Sequence, residues 1–120
     1  MEGVTIKRFD DPAKTVEFTK GRLFVVEIGD LVVGRAEYEP GWLWSRDIAG
    51  DSCGKTLCPS SHVGLVLEGQ NRVTMQDGTT VVMRPGDLFA IGPGHESEVV
   101  GDGNYVSLHL TGVDEYLKTM

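Results

Sequence analysis

The side chains best able to do chemistry in this sequence are three histidines, His62, His95 and His109, and two cysteines, Cys53 and Cys58. Imidazole nitrogen and thiolate sulfur bind Zn²⁺ or Fe²⁺ at about 2.0 to 2.3 Å, and three such ligands leave a position open for water or substrate. A site of that kind acts as a Lewis acid or activates water. The ordinary structural explanations stand beside this one: His62 as an imidazole hydrogen-bonded in a core, Cys58 as a small buried hydrophobe. The two cysteines could pair only across a tight local loop, which a reducing compartment disfavours, so both are read as thiols.

Other residues could shape a pocket. Trp42, Trp44 and Arg46 share a parity, and aromatic walls plus a cation suit an anionic or ring-bearing ligand; core packing or a dimer surface explains the tryptophans equally well. Arg46 with Asp47 also reads as a solvated ion pair. Tyr105, Ser107, His109 and Thr111 alternate with Val106, Leu108 and Leu110. Half-buried antiparallel strands usually show water their polar side, so the polar face is expected outside. Were it inside, His109 would become a fourth ligand or a general base. Glu96 and Glu98 read as solvent-facing. No phosphate-cradling glycine loop or Ser-His-Asp order is present, and no nucleotide cofactor is expected.

These residues must be positioned by strands. Short β-branched or aromatic segments punctuated by Gly, Pro, Asp and Asn predict strands at Thr5–Phe9, Thr15–Phe18, Arg22–Ile28, Leu31–Glu39, His62–Leu67, Asn71–Gln76, Thr79–Arg84, Leu88–Ile91, Glu98–Val100 and Tyr105–Leu110. Only the tail Val113–Lys118 has helical character. Asp77-Gly78 suits a two-residue hairpin and Pro85-Gly86 a type II turn. So many short strands must curl or stack to hide their edges, which predicts an all-β jelly-roll barrel. The stretch Asp47–Ser61 is the longest without strand character, and loops of that length are often functional.

At 120 residues the chain is enough for one domain, and 40% hydrophobic with 24% charged residues is ordinary for a globular protein. Eleven basic against 18 acidic side chains give a formal charge of -7, which repels phosphate backbones and anionic lipid. Neither nucleic acid nor a membrane is an expected partner. The opening MEGVTIKRFDD carries charges where a secretory signal needs an apolar stretch, so the expected address is cytoplasmic.

The pieces HVGLVLEG, VTMQDG and RPGDLFAIGPGH, taken in order, resemble the conserved barrel of the cupin superfamily over about residues 39–111. In particular they resemble small bacterial single-domain cupins that carry PGW-x-WS, a Cys four residues before HVG, and PGH-x-x-x-VVGD. Here these are Pro40 to Ser45, Cys58 with His62-Val63-Gly64, and Pro93-Gly94-His95 with Val99 to Asp102. The resemblance implies one cupin domain over 1–120, with N-terminal strands in 4–38 and a short tail at 113–120.

Typical cupins hold a divalent metal with His-x-His and Glu before the first conserved Gly, and with a further His on a later strand. Counting back from Gly69 puts His62 on the Glu position, Cys58 on the second His and Thr56 on the first. Counting forward from Pro40-Gly41 puts Asp47 near the first His and Ala49 near the second. Counting from Gly86 puts Ser97 on the later His, with His95 two residues before it, either on the same strand face or in the preceding turn. The resemblance thus implies Cys58, His62 and His95 as metal ligands, with His109 or Asp47 as a fourth, for Zn or Fe, Ni and Mn remaining open. Trp44, Arg46 and Tyr105 would shape a pocket for a small-molecule ligand.

Three functions follow as expectations. The first is a metal-dependent enzyme acting on a small polar metabolite. The second is a non-catalytic small-molecule sensor, since loss of His-x-His does not disable a binding pocket. The third is a structural barrel whose Trp-bearing sheet forms a homodimer, assembly being common among cupins.

Overall fold

The computed structural model describes residues 3–120; residues 1–2 of the opening segment lie outside the described residues. Among the described residues there are nine strands: β1 Lys14–Phe18, β2 Gly21–Ile28, β3 Leu31–Tyr38, β4 His62–Glu68, β5 Gln70–Met75, β6 Thr80–Met83, β7 Leu88–Ile91, β8 His95–Val100 and β9 Tyr105–Thr111. Two short helices join them, α1 Trp44–Asp47 and α2 Val113–Leu117. The strands form a six-stranded sheet ordered β1-β2-β3-β9-β4-β7 and a three-stranded sheet ordered β6-β5-β8. Every pairing is antiparallel. This is an all-β jelly roll, with the core between the two sheets.

Registers place the inward side chains in rows, because directly paired residues share a face. Leu23, Ala36, Ser107 and Val66 form one row across four strands. Val25, Gly34, His109, Gly64 and Phe89 form the next. His109 therefore has a glycine on each neighbouring strand, which leaves room for its ring. Gly64 has no space for more: an added Cβ would overlap Leu108 O and the Phe89 ring.

Three expectations about elements are corrected. Thr5–Phe9 is not a strand; it runs without a sheet partner, with Val4 and Ile6 exposed, because β1 begins only at Lys14. The Asp77-Gly78 turn is a three-residue loop. Gly78 N donates to Met75 O at 3.0 Å and Met75 N to Thr79 O at 2.8 Å, and only Gly78, at φ +92°, takes the left-handed conformation. Trp44 starts a turn of helix instead of continuing a strand, so Trp42, Trp44 and Arg46 do not alternate across a sheet. At Arg84–Asp87, Asp87 N donates to Arg84 O at 3.0 Å and Gly86 sits at φ +92°, as a type II turn requires. Among the described residues no helix is long and apolar enough to cross a membrane.

Candidate metal centre

Cys58, His62 and His95 come together inside the barrel, with one potential ligand atom from each within 4.8 Å of the others. All three are buried. They arrive from three places. His62 opens β4 of the large sheet, and its inward parity continues through Gly64 and Val66. His95 opens β8 of the small sheet and shares an inward parity with Ser97 and Val99. Cys58 lies at the end of the long connection, which is stitched to β8: Cys58 N donates to His95 O, and Gly94 N donates to Cys58 O, each at 2.8 Å.

Upstream, that connection is shaped by Asp51. Its carboxylate accepts bonds from the Cys53, Lys55 and Thr56 amides and the Thr56 hydroxyl, which hold it at a pKa of about 2. Cys53 is exposed and Cys58 buried, both as free thiols.

The protonation states suit a metal. Burial, with repulsion from His109 and His95, pulls His62 down to about 3. Burial takes His109 down to about 4 and also lowers His95. Neutral imidazoles, the metal-binding form, therefore fill the barrel at pH 7. Burial pushes the Cys58 thiol up, so a metal would have to displace its proton.

The donor set passes a geometric test. Cys58 Sγ lies 3.7 Å from His62 Nε2. A tetrahedral zinc at ordinary bond lengths separates such a sulfur and nitrogen by about 3.6 Å. His95 Nδ1 donates to Gly92 O at 2.7 Å, which leaves Nε2 as the free acceptor and fixes the ring in the way that backbone carbonyls orient metal-bound imidazoles. His62 Nδ1 is buried with no hydrogen-bond partner among the described residues, so the Nε2 that faces Cys58 has no such orienting bond behind it.

The other predicted site residues divide. Trp44 and Tyr105 line the same interior. His109 does too, so the polar face of β9 points inward, against expectation. The reason lies in the register: Ser107 and His109 pair with Ala36, Gly34, Val66 and Gly64 on the core side, while Leu108 and Leu110 face out. His109 Nε2 stands 3.5 Å from Ser107 Oγ, and its ring is 5.3 Å from that of His62. It flanks the three-residue group without belonging to it.

Arg46 is not a pocket residue. The helical turn of α1 directs it outward, where it bonds Gly41 O at 2.7 Å and the Asp47 carboxylate at 2.8 Å. Nor is Asp47 a ligand: its Oδ2 accepts the Leu43 amide at 2.9 Å, closing the α1 turn, and the Arg46 guanidinium holds its carboxyl below the usual range. Glu96 is also employed locally, accepting the Ser45 and Ser97 amides at 3.1 and 3.0 Å. The tryptophans are interior and cannot supply a dimer face.

Two lining residues carry no clear signal in the sequence, Tyr38 and Tyr116. Their hydroxyls bond each other at 2.8 Å across 78 residues, and burial raises both phenols, which stay protonated. The i, i+3 spacing of Val113 and Tyr116, the buried pair of α2, is the one local trace. What free space remains at the centre is about 30 Å³, room for a water or two or an ion.

Cys58, His62 and His95 thus meet inside an all-β jelly-roll barrel, and several solved structures share that fold. Ectoine synthase from P. lautus superposes with a TM-score of 0.64 at 12% identity, over 96% of this chain and 86% of that one. KdgF from Halomonas sp. gives 0.60 at 16% identity, over 95% and 99%. A sugar phosphate isomerase from a cupin superfamily, from Silicibacter pomeroyi, gives 0.54 at 17% identity over 76% of this chain, which spans 58% of that protein. No family model matches the chain, and no curated protein matches it in sequence. The likeness is one of fold: the chain shares its barrel with these structures, a cupin superfamily protein among them.

Proposed function

We propose that this chain is a metal-dependent enzyme acting on a small polar metabolite, with Cys58, His62 and His95 holding a divalent transition metal, zinc or iron by donor type. The observation that carries this is the convergence of three buried ligand atoms within 4.8 Å from two sheets and a loop. When bound, the metal supplies Lewis acidity and an acidified water. The chain's own part is to keep three imidazoles neutral by burial, to fix His95 through Gly92 O, and to offer His109 as a nearby proton acceptor. That solved neighbours include an isomerase and a synthase supports an enzyme reading, as analogy of fold. The test is metal content of protein purified without an affinity tag; less than about 0.1 equivalent, unaltered in His62→Ala, sinks the proposal.

A second reading has one observation in its favour: among the described residues, no Asp, Glu, Lys or Arg lines the interior. A non-catalytic sensor needs none. A ligand that stabilises the protein in chelator and is not turned over would support it.

Assembly as a homodimer belongs to the same proposal. The outer face of the large sheet offers an apolar surface for it, where Leu65 pairs with both Leu88 and Leu108 and where Val63, Leu88 and Leu110 are exposed.

A further inference from the structure

The interior has the donors of a binding site and almost no volume. Ligand pockets run to roughly 300 Å³ or more, ten times the space here. The deficit has an identifiable source. Tyr116, from the five-residue helix α2, stands inside the barrel against the candidate ligands. Its ring meets His62 edge-on at 5.2 Å and 86°, and tilts at 32° over His109 at 5.4 Å. Its hydroxyl reaches past them to Tyr38.

α2 touches the barrel along one side only: Val113 and Tyr116 are buried, Leu117 packs partly against the core, and Asp114 and Glu115 face solvent. It starts at Gly112, which has φ +84° and no room for a Cβ beside Ser61 O. That glycine is a fixed point from which the last eight residues could turn outward, as hinges at element ends do.

The place that Tyr116 fills also describes what could replace it. The His109 ring lies nearly face-on to the Tyr116 ring, the His62 ring meets it edge-on, and a phenolic hydroxyl stands at its far end. We propose that Tyr116 is a stopper for the barrel: α2 turns away at Gly112 to admit a small planar ring bearing a hydroxyl or carboxylate oxygen, which takes the place of the phenol and its hydrogen bond to Tyr38. The inference rests on the interior being a ligand site, as proposed above, and does not depend on the metal.

The experiment follows Cys58, which the closed barrel buries. In a Cys53→Ser background with chelator present, N-ethylmaleimide labelling of Cys58 is timed for the parent, for Tyr116→Ala and for Val73→Ala, a core truncation in the small sheet remote from α2. Tyr116→Ala labels at least about tenfold faster than the parent and well ahead of Val73→Ala, as local opening requires. Millimolar p-cresol slows the Tyr116→Ala reaction several-fold, and toluene does not. Labelling of Tyr116→Ala at the parent rate overturns the stopper, as does Val73→Ala labelling equally fast, since access would then follow global unfolding. Equal protection by toluene and p-cresol, or none by either, overturns the ligand class. If Tyr116→Ala does not fold, Tyr116→Phe carries the test: it keeps the ring and loses the bond to Tyr38, and labels about two- to fivefold faster, no acceleration being the overturning result. Absence of metal from the purified protein would defeat the metal reading and leave these rates unchanged.

Discussion

Cys58 Sγ lies 3.7 Å from His62 Nε2, although the two residues belong to opposite walls of the barrel. The backbone of Cys58 is bonded to β8 in the small sheet, and His62 opens β4 in the large one. Three residues, Pro59 to Ser61, join the two walls, and a thiol and an imidazole face each other across them. His95, paired directly with Cys58 through the backbone, completes the group.

Metal binding should be lost residue by residue in a defined pattern. Cys58→Ser and His62→Ala each lower metal affinity at least tenfold, the order expected for altering a ligand or its immediate support. Arg46→Ala and Asp47→Asn leave it within about twofold, since their side chains serve the α1 turn. Metal content by elemental analysis, with competition against a chromophoric chelator, measures both sets.

Stability of the metal-free protein should fall with acid in a window set by the buried histidines. His62 and His109 have folded values of about 3 and about 4, below the roughly 6.5 of a free imidazole. Between those values the unfolded chain binds more protons than the folded one, so stability is complete above about pH 6.5 and declines as pH falls. Each histidine contributes a slope of about 1.4 kcal/mol per pH unit across its window. Urea unfolding from pH 7.5 to 4.5 checks this, and His109→Gln should flatten the curve.

The Tyr38–Tyr116 hydrogen bond should show as coupling. Either Tyr→Phe change strands the other hydroxyl in the core, costing about 1 to 3 kcal/mol, whereas the double change removes both polar groups together. The double variant should therefore be less destabilised than the sum of the singles by at least about 0.5 kcal/mol, read from a double-mutant cycle in urea.

Two glycines with the same backbone demand should differ in cost. Gly69 and Gly78 both have positive φ, but a Cβ on Gly69 overlaps Asn104 O while one on Gly78 meets open space. Gly78→Ala pays only backbone strain, about 1 kcal/mol, and Gly69→Ala should exceed it by about 2 kcal/mol or fail to fold. Thermal and urea unfolding separate these outcomes.

Light scattering at working concentration should give twice the 13.1 kDa chain mass. Leu65→Lys with Leu88→Lys, on the outer sheet face, should return it to the monomer while leaving the strand content by circular dichroism intact. A wild-type monomer defeats the assembly proposal.

Much of this protein follows from local pattern alone. Glycines and prolines at turns, with β-branched runs between them, suffice to place eight of the nine strands closely and to favour a jelly roll, because strand period and turn chemistry act over a few residues. His95 lies at the edge of that reach: a two-residue offset preserves the face of a strand, but the sequence also allows a turn there, and it is the start of β8 at His95 that puts its side chain in the barrel. His109 shows where it stops. Alternation says that Ser107 and His109 share a side, but only pairing with Gly34, Ala36 and Gly64 decides that the side is the core. Arg46 belongs to the same limit, since one turn of helix at Trp44 breaks the parity that would have aimed it inward, and the same turn takes up the Asp47 carboxylate that a count from Pro40-Gly41 puts near a ligand position. The meeting of Cys58 with His95, and of Tyr38 with Tyr116, is set by sheet register and by the return of the tail onto the barrel. Those contacts join residues 37 and 78 positions apart, and no pattern in a short window of sequence can specify them.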